Sequence, residues 1–195
     1  MVTLYATNVL LDFTMPTTPK YTLVPLISSD EVRTRLEGIV DEIRAGMPTE
    51  NLVVIALLKG SFVFMADLIR LLYRHGITME VEFMTLRSYG DGDTSSGTVT
   101  VKSDTETDVR GRPVLIIDDI LDTGRTLKKA KELVVAHGAS CVKVCALLDK
   151  PSRRVEDMQA DIIGFSIPDH FVVGYGLDYA RRHRELPFIA RVQME

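Results

Sequence analysis

At 195 residues, one domain that buries roughly 70% of its unfolded surface is expected. The composition, 46% hydrophobic and 26% charged, is ordinary globular usage and excludes a disordered chain, a collagen-like fibre or a disulfide scaffold. A formal net charge of −4 speaks against a dedicated nucleic-acid binder, whose footprint is a basic excess.

The longest apolar runs, Leu52–Leu58 and Phe62–Ala66, fall far short of the ~20 residues a helix needs to cross a bilayer. No Lys or Arg occurs in the first nineteen residues, and Asp12 interrupts the run Val9–Phe13, so no export signal is expected. Residues 1–20 read as a poorly ordered extension, with Met15 an equally good start. Cys141 and Cys145 lie four apart in one apolar run. On a strand their Cα atoms are about 13 Å apart, beyond the ~7 Å limit for a disulfide. They read as buried thiols in a reducing, cytoplasmic setting.

Ser28 and Glu31 have capping-box spacing, and Val32, Leu36, Ile39, Val40 and Ile43 follow at helical period. Leu52–Leu58 is a continuous apolar run, the mark of a strand buried on both faces. Lys59-Gly60-Ser61 then turns into a helix from Phe62 to about His75, closed by Gly76. From Met79 the period is two, with Met79, Val81 and Phe83 opposite Glu80 and Glu82. Arg87–Gly97 is a polar stretch with three glycines before the β-prone run Thr98–Lys102; its length suits a lid or binding loop.

Val114–Ile117 is a third buried strand, followed by Asp118-Asp119 and a turn through Asp122-Thr123-Gly124 into a helix over Arg125–His137, capped by Gly138. Val142–Leu148, Asp161–Ser166 and Phe188–Val192 read as further strands. The alternation predicts an α/β fold, an open, mostly parallel twisted sheet flanked by helices, with ligands beyond the carboxyl ends of the strands.

The richest strand end is Val114–Thr126. A helix N-terminus with Gly124, Thr123 and Thr126 suits a phosphate, but the spacing is not that of a nucleoside-triphosphate P-loop. Three acids beside a phosphate require a cation or hydroxyl donors, which a sugar phosphate with Mg²⁺ supplies. The plainer alternative makes Asp122 or Thr123 an ordinary N-cap and Asp118-Asp119 a solvated strand end. His75, His137 and His183 are spaced for no metal site, and the first two suit helix C-termini.

The run Val-Leu-Ile-Ile-Asp-Asp-Ile-Leu-Asp-Thr-Gly-Arg-Thr at 114–126 resembles the phosphoribosyl pyrophosphate (PRPP) signature of type I phosphoribosyltransferases. Leu58-Lys59-Gly60, Arg87-Ser88-Tyr89 and Phe171–Tyr179 resemble, more narrowly, the hypoxanthine(-guanine) phosphoribosyltransferases, and the likeness covers about Leu26–Ile189. It implies one domain over 21–195, a small hood built from terminal segments and a flexible β-hairpin lid at 87–97. It also implies transfer from PRPP to a 6-oxopurine with Mg²⁺, no nucleic-acid or membrane partner, and a homodimer or homotetramer.

Carried over by position, Asp118 and Asp119 hold the ribose hydroxyls and Mg²⁺. Relatives usually carry Glu at the first of these, so the shorter Asp118 makes a longer or water-mediated contact. Thr123, Gly124, Arg125 and Thr126 cradle the 5′-phosphate, Ile120 and Leu121 belong to the same nucleotide-binding run, and Asp122 is the general base or acid at purine N7. Lys150 donates to the 6-oxo group, Phe171 stacks on the base and Val172 reads its edge. Asp178 serves base and Mg²⁺, and Arg184 the pyrophosphate, whereas Arg181 and Arg182 are surface charges and His170 offers backbone at most. Lys59 and Gly60 form a pyrophosphate loop, in which relatives often have a non-proline cis peptide, and Ser88 and Tyr89 close over the reaction. Three rivals stand beside this reading: a transferase for another base such as xanthine, a nucleotide-sensing RNA-binding regulator of the same fold, and a plain sugar-phosphate binding module.

Overall fold

The apolar runs become strands whose alternate residues feed two separate cores. The computed structural model describes residues 20–88, 99–103 and 105–194. Residues 1–19, which include most of the expected extension, and the lid segment 89–97 with Tyr89 lie outside the described residues. The element order is β1 (Tyr21–Ile27), α1 (Ser29–Gly46), β2 (Leu52–Leu57), α2 (Phe62–Arg74), β3 (Met79–Ser88), β4 (Val99–Ser103), β5 (Pro113–Leu121), α3 (Arg125–Ala136), β6 (Cys141–Asp149), a 3₁₀ turn (Pro151–Arg153), β7 (Ile162–Ser166), β8 (Val172–Val173) and β9 (Ile189–Met194).

The main sheet runs β4-β3-β2-β5-β6-β7. Strands β3, β2, β5, β6 and β7 pair in parallel, and β4 adds antiparallel to β3. Val54, Ala56, Leu115, Ile117, Cys145 and Leu147 face α1 and α2. Val53, Ile55, Val114, Ile116, Val144 and Ala146 face α3. Period-two geometry thus splits each continuous apolar run between the two layers of helix.

Helix α1 begins with the expected capping box: Ser28 accepts from the Glu31 amide, and the Glu31 carboxylate accepts from the Ser28 amide. Its five-residue stripe is buried. Gly76 and Gly138 adopt φ of +80° and +86° after α2 and α3, as glycines that end helices do. Cys145 is buried, Cys141 half-buried, and both are free thiols. No helix among the described residues is long and apolar enough to cross a membrane.

Three features differ from the expectations. Strand β5 continues four residues past Ile117, because Asp118, Ile120 and Leu121 keep pairing with β6. Strand β3 does alternate, but Val81 and Phe83 are 40% and 43% exposed, and burial passes to Met84 and Leu86 on the opposite face. A second sheet, β1-β9-β8, forms the hood from the terminal segments; β1 is unforeseen because Pro25 and a register shift interrupt its run.

Phe64 is fully buried in the core under α2. Phe64→Ala is expected to lower stability by about 3–5 kcal/mol, read as a lower urea midpoint at unchanged slope.

Candidate active site

Strand alternation governs the site. Asp118 and Asp119 are the last acids of β5 and point to opposite faces of the sheet. Asp118, only 7% exposed, lines a cleft of about 60 Å³ with Ile120, Leu121, Asp122, Thr123, Gly124 and Thr126. Asp119 faces the loop before α2, where a Cβ on Gly60 would lie 1.5 Å from Asp119 Oδ2. Glycine is therefore required at position 60 for backbone and carboxylate to meet. The Gly60 carbonyl in turn abuts Gly176, where a Cβ would lie 2.0 Å away. The cis peptide in this loop is Leu58–Lys59, preceding Lys59 rather than joining it to Gly60. Lys59 is exposed.

Burial and the neighbouring Asp119 carboxylate push Asp118 well above the ordinary carboxylate range. Burial also raises Asp119, opposed by hydrogen bonds and by the charge of Arg184. These are not solvated strand-end acids. Nor is Asp122 or Thr123 an N-cap: that position belongs to Gly124 at φ +86°, and no side chain caps α3. The amides opening α3 are left for another acceptor.

Asp122, 40% exposed, accepts from Arg153 Nε at 3.3 Å. Lys150 is buried at the end of β6, with Nζ 3.4 Å from Asp169 Oδ1; Arg153 Nη1 lies 3.9 Å from Asp169 Oδ2. Phe171 is not a core residue. It is 55% exposed and meets Tyr179 in a T-shaped contact at 5.4 Å. Tyr179 packs likewise on Tyr21 at 5.3 Å, so the hood supports this ring. Val172 is buried on β8.

Arg184 Nη2 lies 2.6 Å from Asp178 Oδ1, and Nη1 donates to the Gly176 carbonyl at 2.6 Å. Asp178 Oδ2 accepts from the Arg181 amide. The side chains of Arg181 and Arg182 are exposed. Asp118, Asp119 and Asp178 do not gather into a cage: among the described residues no three His, Cys, Asp or Glu side chains group to hold a metal. The two desolvated carboxylates of β5 fit a hard cation that keeps most of its ligands from water and substrate, as Mg²⁺ does. Ser88 ends β3.

The sequence reading missed the turn after β6. Arg153, Arg154 and Glu156 contact the end of β5 and the loop before α3, and Asp149 pairs with Arg154 behind them. Their signal was the polar run Asp-Lys-Pro-Ser-Arg-Arg directly after a buried strand, where a parallel sheet places its ligand contacts.

A parallel sheet with a hood and with acids and a glycine turn at its central strand end is the frame of a phosphoribosyltransferase, and the family model described as a phosphoribosyl transferase domain matches residues 28–180. A hypoxanthine phosphoribosyltransferase of Haemophilus influenzae is 43% identical over 173 residues, covering 87% of this chain and 95% of its own length. That of Escherichia coli is 43% identical over 175 residues, covering 89% and 97%. The crystal structure of the Staphylococcus aureus hypoxanthine phosphoribosyltransferase matches with a TM-score of 0.80 at 37% identity, covering 87% of this chain and 90% of that one. The chain belongs to the hypoxanthine phosphoribosyltransferase family.

The raised Asp118 carboxyl has a stability consequence. The folded state holds a proton that the unfolded chain releases at its ordinary carboxylate pKa, so stability falls as pH rises from about 4 through the folded value. Without Mg²⁺ or substrate, Asp118→Asn is expected to melt higher than the parent at neutral pH. That advantage should shrink toward about pH 4, as read by calorimetry across pH.

Proposed function

We propose that this chain transfers the 5-phosphoribosyl group of PRPP to hypoxanthine, giving IMP and pyrophosphate, with guanine as a second acceptor. The observation that carries the reading is the split pair at the end of β5: Asp118 lines the phosphate-sized cleft before α3, while Asp119 abuts Gly60. One sugar between the two loops would meet both acids.

In this reading the Asp122–Thr126 turn and the start of α3 hold the 5′-phosphate, and Asp118 and Asp119 accept from the ribose hydroxyls. Lys59, Gly60 and Arg184 take the pyrophosphate. Phe171 stacks on the base, Val172 and Asp178 bound its edge, and Lys150 leaves Asp169 to donate to the 6-oxo group. The bond from the anomeric carbon to pyrophosphate breaks, the bond to purine N9 forms, and Asp122 takes the N7 proton. Ser88 and Tyr89 exclude water from the cationic ribose. Asp118, Asp119 and Asp178 would meet the Mg²⁺ arriving with PRPP as separate carboxylates rather than a closed cage, directly or through water, and the ion would supply neutralising charge for the leaving pyrophosphate.

Residues 21–195 act as one domain behind an extension at 1–20. Two free thiols fit a cytoplasmic setting. Val81 and Phe83, on the sheet face that α2 covers, and Phe62 of α2 are exposed apolar residues, and a second copy seated there would make a homodimer or the half of a homotetramer. Sedimentation velocity is expected to give at least a dimer, with Phe83→Asp shifting the mass toward monomer.

The test of the reaction offers PRPP and Mg²⁺ with hypoxanthine, guanine, xanthine, adenine and uracil separately. Nucleotide from hypoxanthine is expected; turnover on another base alone would discard the base assignment. Asp122→Asn is expected to lose about 10²–10⁴-fold in kcat while PRPP binds as before. Full kcat in that variant would remove Asp122 from the role.

A further inference from the structure

One half-buried cation has its side-chain partners, among the described residues, in and around the loop that opens α3. The Arg154 side chain is 18% exposed, and that of Asp149 is 9% exposed. Arg154 Nη2 pairs with Asp149 Oδ1, while Nη1 donates to the carbonyl oxygens of Leu121, at 3.1 Å, and Asp122. The grip continues in the next residues. The amides of Val155 and Glu156 both donate to the Thr123 carbonyl at 3.1 Å. Behind Gly124, a Cβ would lie 3.1 Å from Met158 Cβ and 3.2 Å from Arg154 Cδ.

Three successive carbonyls, of Leu121, Asp122 and Thr123, are therefore drawn to one side of the loop. In a trans peptide plane the N–H points opposite to the C=O. Fixing those carbonyls aims the amides of Asp122, Thr123 and Gly124 the other way, and none of these donates a backbone hydrogen bond among the described residues. A run of free amides turned to one side is an anion-binding nest. Asp149 fixes the guanidinium, and it is itself fixed by its pairing with Leu121 across β5 and β6.

We propose that Arg154 is a positioning residue that orients the amides of residues 122–124 for the phosphate of PRPP, rather than touching substrate itself. The inference rests on the reading of this cleft as the PRPP site. It also explains the fork: a planar guanidinium serves two carbonyls from one nitrogen and a carboxylate from another, a span that the single nitrogen of an ammonium lacks.

The test is calorimetric titration of PRPP with Mg²⁺ into the full chain. Arg154→Ala is expected to weaken PRPP binding by about 10–100-fold, the scale of one hydrogen bond to a charged group lost, with affinity recovered in part by added guanidinium. Arg154→Lys is expected to lie between parent and Arg154→Ala. Because Arg154→Ala leaves a buried Asp149 unpaired, the double variant Asp149→Leu with Arg154→Met removes both charges. It is expected to fold and still bind PRPP weakly. A folded Arg154→Ala or double variant that binds PRPP within about twofold of the parent would overturn the positioning role alone. A parent chain that does not bind PRPP would overturn the reading of the cleft, and this inference with it.

Discussion

A buried parallel strand that ends in two adjacent carboxylates is the constraint around which this site is arranged. Side-chain alternation sends Asp118 to the cleft at the start of α3 and Asp119 to the Gly60 loop. Asp118 is buried and Asp119 half-buried, and both are harder to ionise than usual. The apolar sheet behind them, with Ile116 and Ile117 fully buried, fixes the strand well enough to hold that unfavourable pair in place. Marginal local stability at a functional site, supported by a core elsewhere, is the usual trade.

Close backbone approach completes the arrangement. Gly60 abuts the Asp119 carboxylate, Gly176 abuts the Gly60 carbonyl, and Gly174 abuts the Phe188 carbonyl. The loop before α2, the segment after β8 and the hood are thereby stacked without side chains between them. Arg184 then bridges Asp178 and Gly176, so the residues read as handling base and pyrophosphate share one packed unit. The turn after β6 grips the opposite side of the β5 strand end.

Much of this was legible in the sequence, for local reasons. Leu52–Leu57, Val114–Ile117 and Val144–Leu148 are apolar without a break, and only strands covered on both faces read so. The capping box of α1 and the glycines after α2 and α3 are equally local signals. What escaped was non-local. The strand β1 contains Pro25 and gains its partner from β9, more than 160 residues later. Strand β3 alternates, yet which of its faces is covered depends on the reach of α2. Asp118, Asp119 and Asp122 could be singled out because they share one motif. Arg154 lies in a polar run after β6 that marks the region but not the residue, since its role comes from carbonyls some thirty residues away.

The pairing of β1 with β9 also bears on the order in which the molecule is made. All six strands of the main sheet have been synthesised before Ile189–Met194 emerge, and Tyr21↔Met194 and Thr22↔Gln193 are register partners. During translation β1 therefore waits as an unpaired strand while the sheet closes beside it. The hood is a late addition, and the ring stack from Tyr21 through Tyr179 to Phe171 is completed only then. A nascent chain stalled short of β9 would present a formed sheet and phosphate loop under an open roof, with β1 exposed as an edge for any other extended chain to pair with.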